Sequence, residues 1–219
     1  GCAAVIVNTV AKAQEISKLL SEHLDGFEVI CFHSRFTATD RAEIESLLLE
    51  RVGKSSVPEG RNKLIVVGTQ VIEQSLDLDF DYMVTELCPM DLLLQRSGRL
   101  HRHERVRPKG LENAVLAVMQ TDTKSSEYIY TKWLLIQTEK YLPDVLDIPS
   151  CIPKLVGKVY AEPEDKSIPE WNDHRIKIDN KETSARKYCI ASNLVNSRRT
   201  NINTMLNDNV GNDSAAEAS

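Results

Sequence analysis

The chain has no apolar run approaching the ~18 residues that a membrane-crossing helix requires, so no span is expected. It has no surplus of positive charge. Its 27 Lys and Arg against 32 Asp and Glu leave a net charge of −5 over 219 residues. That excludes a uniformly basic nucleic-acid coat protein but leaves room for a local basic site. It has no Cys-x-x-Cys pair. The five cysteines (Cys2, Cys31, Cys88, Cys151, Cys189) are odd in number and scattered. Neither a zinc ribbon nor a disulfide framework is expected, and a reducing cytoplasm suits them best. No charged leader precedes Gly1 and Cys2, so no signal peptide is read.

Several chemical motifs are also missing. Gly53-Lys54-Ser55 resembles the end of a phosphate loop, but the required upstream glycine would fall on Leu48. No Asp-Glu-x-His or Asp-Glu-Ala-Asp stretch exists to hold magnesium. Asp77, Asp79 and Asp81 mimic a calcium loop, but its sixth position is Tyr82 and its twelfth is Cys88. No clustered His-Asp nuclease motif is present, and no metal site is expected in the chain itself.

What is present alternates. Residues 3–7 form a continuous apolar run of the kind buried in parallel sheets. A chain rarely begins on a central strand, so a piece of a longer protein is expected. Ile16, Leu19, Leu20 and Leu24 recur at helical spacing, which predicts a helix over 11–23. Residues 29–32 read as a second strand. Thr37, three residues before Asp40, marks a helix start, and that helix carries Ile44, Leu47 and Leu48. A polar loop follows over 53–62. Strands are predicted at 64–67, 82–85 and 114–118. Pro89 and Asp91 open a helix between the last two. The pattern predicts a doubly wound α/β domain with a mainly parallel sheet over 1–122. A helical linker over 123–150, with a helix at 125–141, comes next. Prolines then recur at 143, 149, 153, 163 and 169, and residues 161–182 hold seven acidic and four basic side chains. Residues 151–219 read as an irregular extension, with a polar, disordered tail from 207. Trp171, set among charges, is open to base stacking or to packing.

The most informative segment is Gln95-Arg96-Ser97-Gly98-Arg99-Leu100-His101-Arg102. Residues 95–110 carry six Lys or Arg and one Glu, a local net of +5 within an acidic chain. Arginines at 96, 99 and 102 would share one face of a helix. Such a face suits a polyphosphate, because guanidinium stays charged and donates in a fork; a solvated basic face is the alternative. Upstream, Val67-Gly68-Thr69-Gln70-Val71-Ile72-Glu73-Gln74-Ser75-Leu76-Asp77 follows a strand directly. Ligands of parallel α/β sheets sit beyond the carboxyl ends of strands. Small polar residues there can meet phosphate, and an Asp can accept from ribose hydroxyls.

Together these segments resemble the second RecA-like lobe of superfamily-2 helicases. Residues 68–77 look like motif V and residues 95–102 like motif VI. Ile6-Val7-Asn8-Thr9 with Ala13 looks like motif IV. Phe32-His33-Ser34-Arg35-Phe36, followed by Asp40-Arg41, resembles the segment that touches the nucleic-acid backbone. The run ending Gly98-Arg99-Leu100-His101-Arg102-His103 is most similar to the signature helicase–nuclease of type I CRISPR systems. Common RNA helicases have Gly where this chain has His101.

That resemblance implies a set of roles. Arg99 and Arg102 would be arginine fingers reaching ATP bound with Mg2+ on another lobe. Gln95 would contact the nucleotide and Asp77 its ribose. Arg96 would join them or make a structural ion pair. Asn8, Thr9, Ser34, Arg35, Thr69 and Gln70 would face single-stranded DNA. The implied partners are a first RecA-like lobe, single-stranded DNA and a guide-RNA surveillance complex. The implied activity is the ATP-driven unwinding and degradation of invading DNA, with this chain inactive alone. His101 and His103 are expected at the surface or at DNA rather than on a metal. Two other classes remain open, a lobe of another superfamily-2 DNA or RNA helicase and a non-catalytic interaction module.

Overall fold

A computed structural model describes residues 1–73, 76–119, 126–127 and 129–198, the side chains of 186–198 excepted. The described chain divides into two units, Gly1–Lys166 and Ser167–Ser219. Gln74, Ser75, the start of the helix predicted at 125 and the polar tail from 207 lie outside the described residues.

The first unit is built on five strands, β1 (Cys2–Ile6), β2 (Glu28–Phe32), β3 (Leu64–Gly68), β4 (Tyr82–Glu86) and β5 (Leu116–Met119). They form one sheet in the order β2-β3-β1-β4-β5, and every pairing is parallel. The central strands are apolar on both faces, as a sheet covered on both sides requires. Cys2, Ala4, Ile6, Leu64, Val66 and Met83 face one layer of the core, together with Leu48 and Val52 of helix α2 (Ala38–Val52). Val5, Val7, Ile65 and Val67 face the other, where Ala13, Ile16 and Leu20 of helix α1 (Val10–His23) cover them. The mainly parallel α/β sheet expected from the sequence is therefore formed.

The helix caps follow from local chemistry. Thr9 Oγ1 accepts from the Lys12 N–H, and Thr37 Oγ1 accepts from the Asp40 N–H. The loop read over 53–62 contains a short helix, α3 (Pro58–Arg61). Pro58 suits the first turn, where no N–H is needed, and the turn delivers Arg61 to a buried carboxylate at Asp81.

Helix α4 (Met90–Ser97) begins after Pro89 and ends at Gly98. It packs Met90, Leu93 and Leu94 against two further helices, α5 (Lys132–Tyr141) and α6 (Ile152–Val159). Helix α5 starts later than the sequence pattern implied. In the second unit, α7 (Pro169–Arg198) occupies a stretch read as irregular. Its sequence is mostly charged and polar with no continuous apolar stripe, so apolar periodicity did not reveal it. Trp171 is buried, and its ring lies 5.5 Å from that of His174. No described helix is long and apolar enough to cross a membrane.

Candidate nucleotide and nucleic-acid interface

Because all five strands are parallel, their carboxyl ends fall along one edge, and the loops leaving β1, β2 and β3 begin there. Those loops carry Asn8 and Thr9, Ser34 and Arg35, and Thr69 and Gln70. The edge is tightly built at Gly68. A Cβ there would lie 2.4 Å from the Phe32 carbonyl oxygen and 2.6 Å from Ile72 Cδ1. The Thr69 N–H donates to that same Phe32 carbonyl at 3.3 Å, which ties the loops after β2 and β3 together.

The loop residues differ in exposure. Ser34 and Arg35 are exposed. They are presented by a turn in which His33 stacks on Phe36 with ring centroids 4.3 Å apart. Burial, assisted by nearby Arg35, pushes the His33 pKa below its ordinary value. The Arg35 N–H donates to His33 Nδ1 at 3.3 Å. Thr9 is half-buried at its helix cap. Asn8 and Thr69 are buried, at 3% exposure each.

The Asn8 side chain is fully engaged within the protein. Its Nδ2 donates to the Leu87 carbonyl at 2.8 Å and to Ser126 Oγ at 3.0 Å, and its Oδ1 accepts from Arg96 at 3.3 Å. Gln70 Nε2 donates to the Tyr130 hydroxyl at 2.8 Å and to the Asn8 carbonyl at 3.4 Å. Asn8 and Gln70 thus shape the edge, while Ser34 and Arg35 stand out from it.

The three arginines at 96, 99 and 102 do not share a helical face. Helix α4 stops at Ser97, because the chain must turn to lay Leu100 beside Phe80. The Phe80 N–H donates to the Arg99 carbonyl at 2.9 Å, and the His101 N–H to the Phe80 carbonyl at 3.0 Å. Arg96 lies inside α4's buried face with no exposure. It forms an ion pair with Glu73 at 2.5 Å and donates to Thr85 Oγ1 at 2.7 Å and the Glu86 carbonyl at 3.1 Å. Of the two employments the sequence allowed Arg96, the ion pair is the one formed.

Arg99 and Arg102 emerge beyond the helix. Arg99 donates to the Glu73 carbonyl at 3.0 Å. Arg102 Nε contacts Asp77 Oδ1 at 2.5 Å, and His103 Nε2 reaches the same oxygen at 3.1 Å. The Arg102 hydrogen bond is the main cause that holds the Asp77 carboxyl below its ordinary range. Burial, followed by the neighbouring Arg102 charge, lowers the Arg99 pKa, against the pull of Asp77 and Glu73. Two guanidiniums crowded at a partly exposed rim favour an anion between them. Gln95 is exposed on α4, one turn before Arg99.

Much of the basic cluster is neutralised within the fold. From 101 to 108 the chain alternates. His101, His103, Arg105 and Arg107 are half-buried, and Arg102, Glu104, Val106 and Pro108 are exposed. Arg105 and Arg107 meet Asp79 at 2.6 and 2.9 Å, and Arg107 meets Asp81 at 2.7 Å. Arg61 meets Asp81 at 2.8 Å. Both carboxylates are wholly buried. The aspartates that mimic a calcium loop are therefore guanidinium partners. Among the described residues, no group of three or more His, Cys, Asp or Glu is placed to hold a metal ion.

Sequence reading missed Glu73, Glu86, Tyr130, Asp79, Arg61, Arg105 and Arg107 as parts of this assembly. The two matching period-2 runs, 77-79-81 and 101-103-105-107, are the signal that could have paired the acids with the bases.

The five-stranded parallel sheet, with its helices and its edge of loops, is that of a RecA-like lobe of a superfamily-2 helicase. Residues 1–105 match the family described as "CRISPR-associated nuclease/helicase Cas3, C-terminal", and the chain is similar to the C-terminal helicase lobe of Cas3 proteins. The Cas3 of Streptococcus thermophilus is 39% identical over 221 residues, covering 94% of this chain and 24% of that protein. The Escherichia coli protein is 36% identical over 178 residues, covering 76% of this chain and 20% of its own length. The crystal structure of T. fusca Cas3 with AMPPNP superposes with a TM-score of 0.73 at 34% identity, covering 85% of this chain and 22% of that one. A CRISPR RNA-guided surveillance complex in a pre-nicking state contains a chain that matches with a TM-score of 0.68 at 33% identity, covering 85% of this chain and 24% of its own. The chain thus spans a quarter or less of these relatives' length.

Proposed function

We propose that this lobe supplies half of the ATP site and half of the single-strand groove of an ATP-driven DNA translocase. The observation that carries this reading is the crowding of Arg99 and Arg102 at an exposed rim beside Asp77. These donors fit a triphosphate: two fixed positive charges suit anionic oxygens, and Gln95 adds an exposed neutral donor. The Asp77 carboxylate suits ribose hydroxyls. In this reading the metal and the phosphate loop are supplied by another lobe. ATP and Mg2+ supply phosphoryl-transfer chemistry when bound.

Within that arrangement Arg99 and Arg102 neutralise charge that builds up on the transferring group, a contribution on the order of 10³–10⁵ in rate where such fingers are known. Arg102 exchanges Asp77 for the phosphate as it does so. Arg96 acts indirectly, holding Glu73, β4 and Asn8 in one buried network. That network joins the finger segment to the loops that face the strand. Ser34 and Arg35 contact the nucleic-acid backbone, with Thr9, Thr69 and Gln70 alongside and Asn8 shaping the loop beneath. Closure of two lobes on the nucleotide and their reopening then moves the grip along DNA. By its likeness to the Cas3 relatives, the longer protein degrades DNA after recruitment by a guide-RNA surveillance complex.

The test is ATP hydrolysis at saturating single-stranded DNA. It is run for this chain alone and for this chain mixed with a first RecA-like lobe from the same helicase. The expected result is no turnover alone and turnover on mixing. Turnover by the chain alone would mean that a complete nucleotide site lies within it, and the two-lobe reading would fall.

A further inference from the structure

The stretch that carries Arg102 has a feature unrelated to charge. His101 has a backbone φ of 47°, in the left-handed region. Lys63 is the one other described non-glycine residue in that region. Glycine adopts this conformation freely, whereas a side chain there must be held. His101 is held from both sides. Its N–H donates to the Phe80 carbonyl at 3.0 Å. Its ring Nε2 lies 3.1 Å from the Asp81 carbonyl oxygen. A carbonyl can only accept, so Nε2 carries the proton.

The effect falls on the next residue. The Arg102 N–H donates to Asp79 Oδ1 at 2.8 Å. Asp79 is itself wholly buried and braced by Arg105 and Arg107. The turn at His101 therefore sets where the alternating strip begins, and with it which residues point outward. Arg102 points out because His101 is turned in.

We infer that His101 is a positioning residue for Arg102. Its ring-to-backbone hydrogen bond locks the left-handed turn that aims the Arg102 guanidinium. This deepens the finger reading given above and rests on it. A glycine at this position would permit the turn without locking it. Arg102 would then sample several directions, and misplacement by about 1 Å is enough to cost on the order of 100-fold in rate.

The experiment uses the full-length helicase that carries this lobe, in three variants beside the wild type. His101→Gly keeps the backbone conformation unstrained and removes the ring. His101→Ala removes the ring and keeps the backbone strain that a Cβ carries in this region. Arg102→Ala removes the finger itself. DNA-stimulated kcat, KM for ATP, affinity for a fluorescent single strand and Tm are read for each. For His101→Gly the expected result is a kcat about 10- to 100-fold lower, with KM, strand affinity and Tm close to wild type. His101→Ala is expected to lose as much kcat and also to melt earlier.

Wild-type kcat in His101→Gly, with turnover lost in Arg102→Ala, would overturn the positioning role and leave the finger intact. Loss of kcat in His101→Gly only in proportion to a lowered Tm would also overturn it, since that is what a merely structural residue gives. Full turnover in Arg102→Ala would instead overturn the finger reading on which the inference rests.

Discussion

Arg96 and Arg102 lie six positions apart in one motif, yet their surroundings predict opposite phenotypes. Arg96 is wholly buried against Glu73, so Arg96→Ala strands a carboxylate in the core. Breaking a buried pair from one side costs about 3–5 kcal/mol. Chemical denaturation of this chain should show a loss of that size. Arg102 is 39% exposed in its pair with Asp77. An exposed pair is worth about 0–1 kcal/mol, so Arg102→Ala should leave the denaturation midpoint almost unmoved. In the full-length helicase the same substitution is expected to abolish ATP turnover while single-strand binding stays within about twofold of wild type, because the residues proposed to face the strand are on other loops. Lost strand binding with normal turnover would remove Arg102 from the nucleotide site. By spacing alone these arginines are equivalent, and in the sequence only the family resemblance set Arg96 apart. The end of α4 at Ser97 separates them.

At the scale of elements, the edge where β3 becomes the loop of Thr69 and Gln70 is the most tightly constrained. Gly68→Ala would drive a methyl group to 2.4 Å from the Phe32 carbonyl oxygen, which is backbone and cannot yield cheaply. Overpacking of this kind costs about 1–3 kcal/mol. The expected outcome is a loss of stability in that range together with weaker single-strand binding, as measured by fluorescence anisotropy, because the loop must shift. A variant that is destabilised but binds DNA normally would detach this edge from the groove. The element pattern itself was readable. Parallel strands buried on both faces leave continuous apolar runs, and Thr9, Thr37 and Pro89 mark helix starts by chemistry that acts within a few residues. Helix α7 was not readable, since its mostly polar sequence shows no apolar stripe.

At the scale of the whole lobe, Asp81 makes folding depend on acid. Burial raises its pKa. The Arg107 hydrogen bond, the Cys2 N–H and Arg61 more than offset this, and the group is held at about 2 against an ordinary 3.8. A carboxyl depressed on folding contributes stability above its unfolded pKa. That contribution is lost as pH falls through the folded value. Stability should therefore decline between about pH 4 and pH 2, with about 2 kcal/mol attributable to this group. Asp81→Asn should flatten that stretch of the pH profile while lowering stability at neutral pH, as read by thermal melts across the range. An unchanged acid limb would mean that other carboxylates govern acid unfolding.

Two kinds of information are separated in this chain. The sequence by itself determined the parallel α/β architecture, the order of the motif segments and the presence of arginines suited to a polyphosphate. Each of these depends on residue type and short spacing, which a linear chain displays directly. Only the tertiary structure decided which charges are spent inside. The local net of +5 over 95–110 reads as one basic surface, but Arg96, Arg105 and Arg107 find acids brought to them from 23 or more residues away. Such pairing depends on which strands the fold makes neighbours, a distance in space that spacing along the chain does not encode. What remains is Lys109 at the surface and, beside Asp77, the half-buried Arg99 and the exposed Arg102.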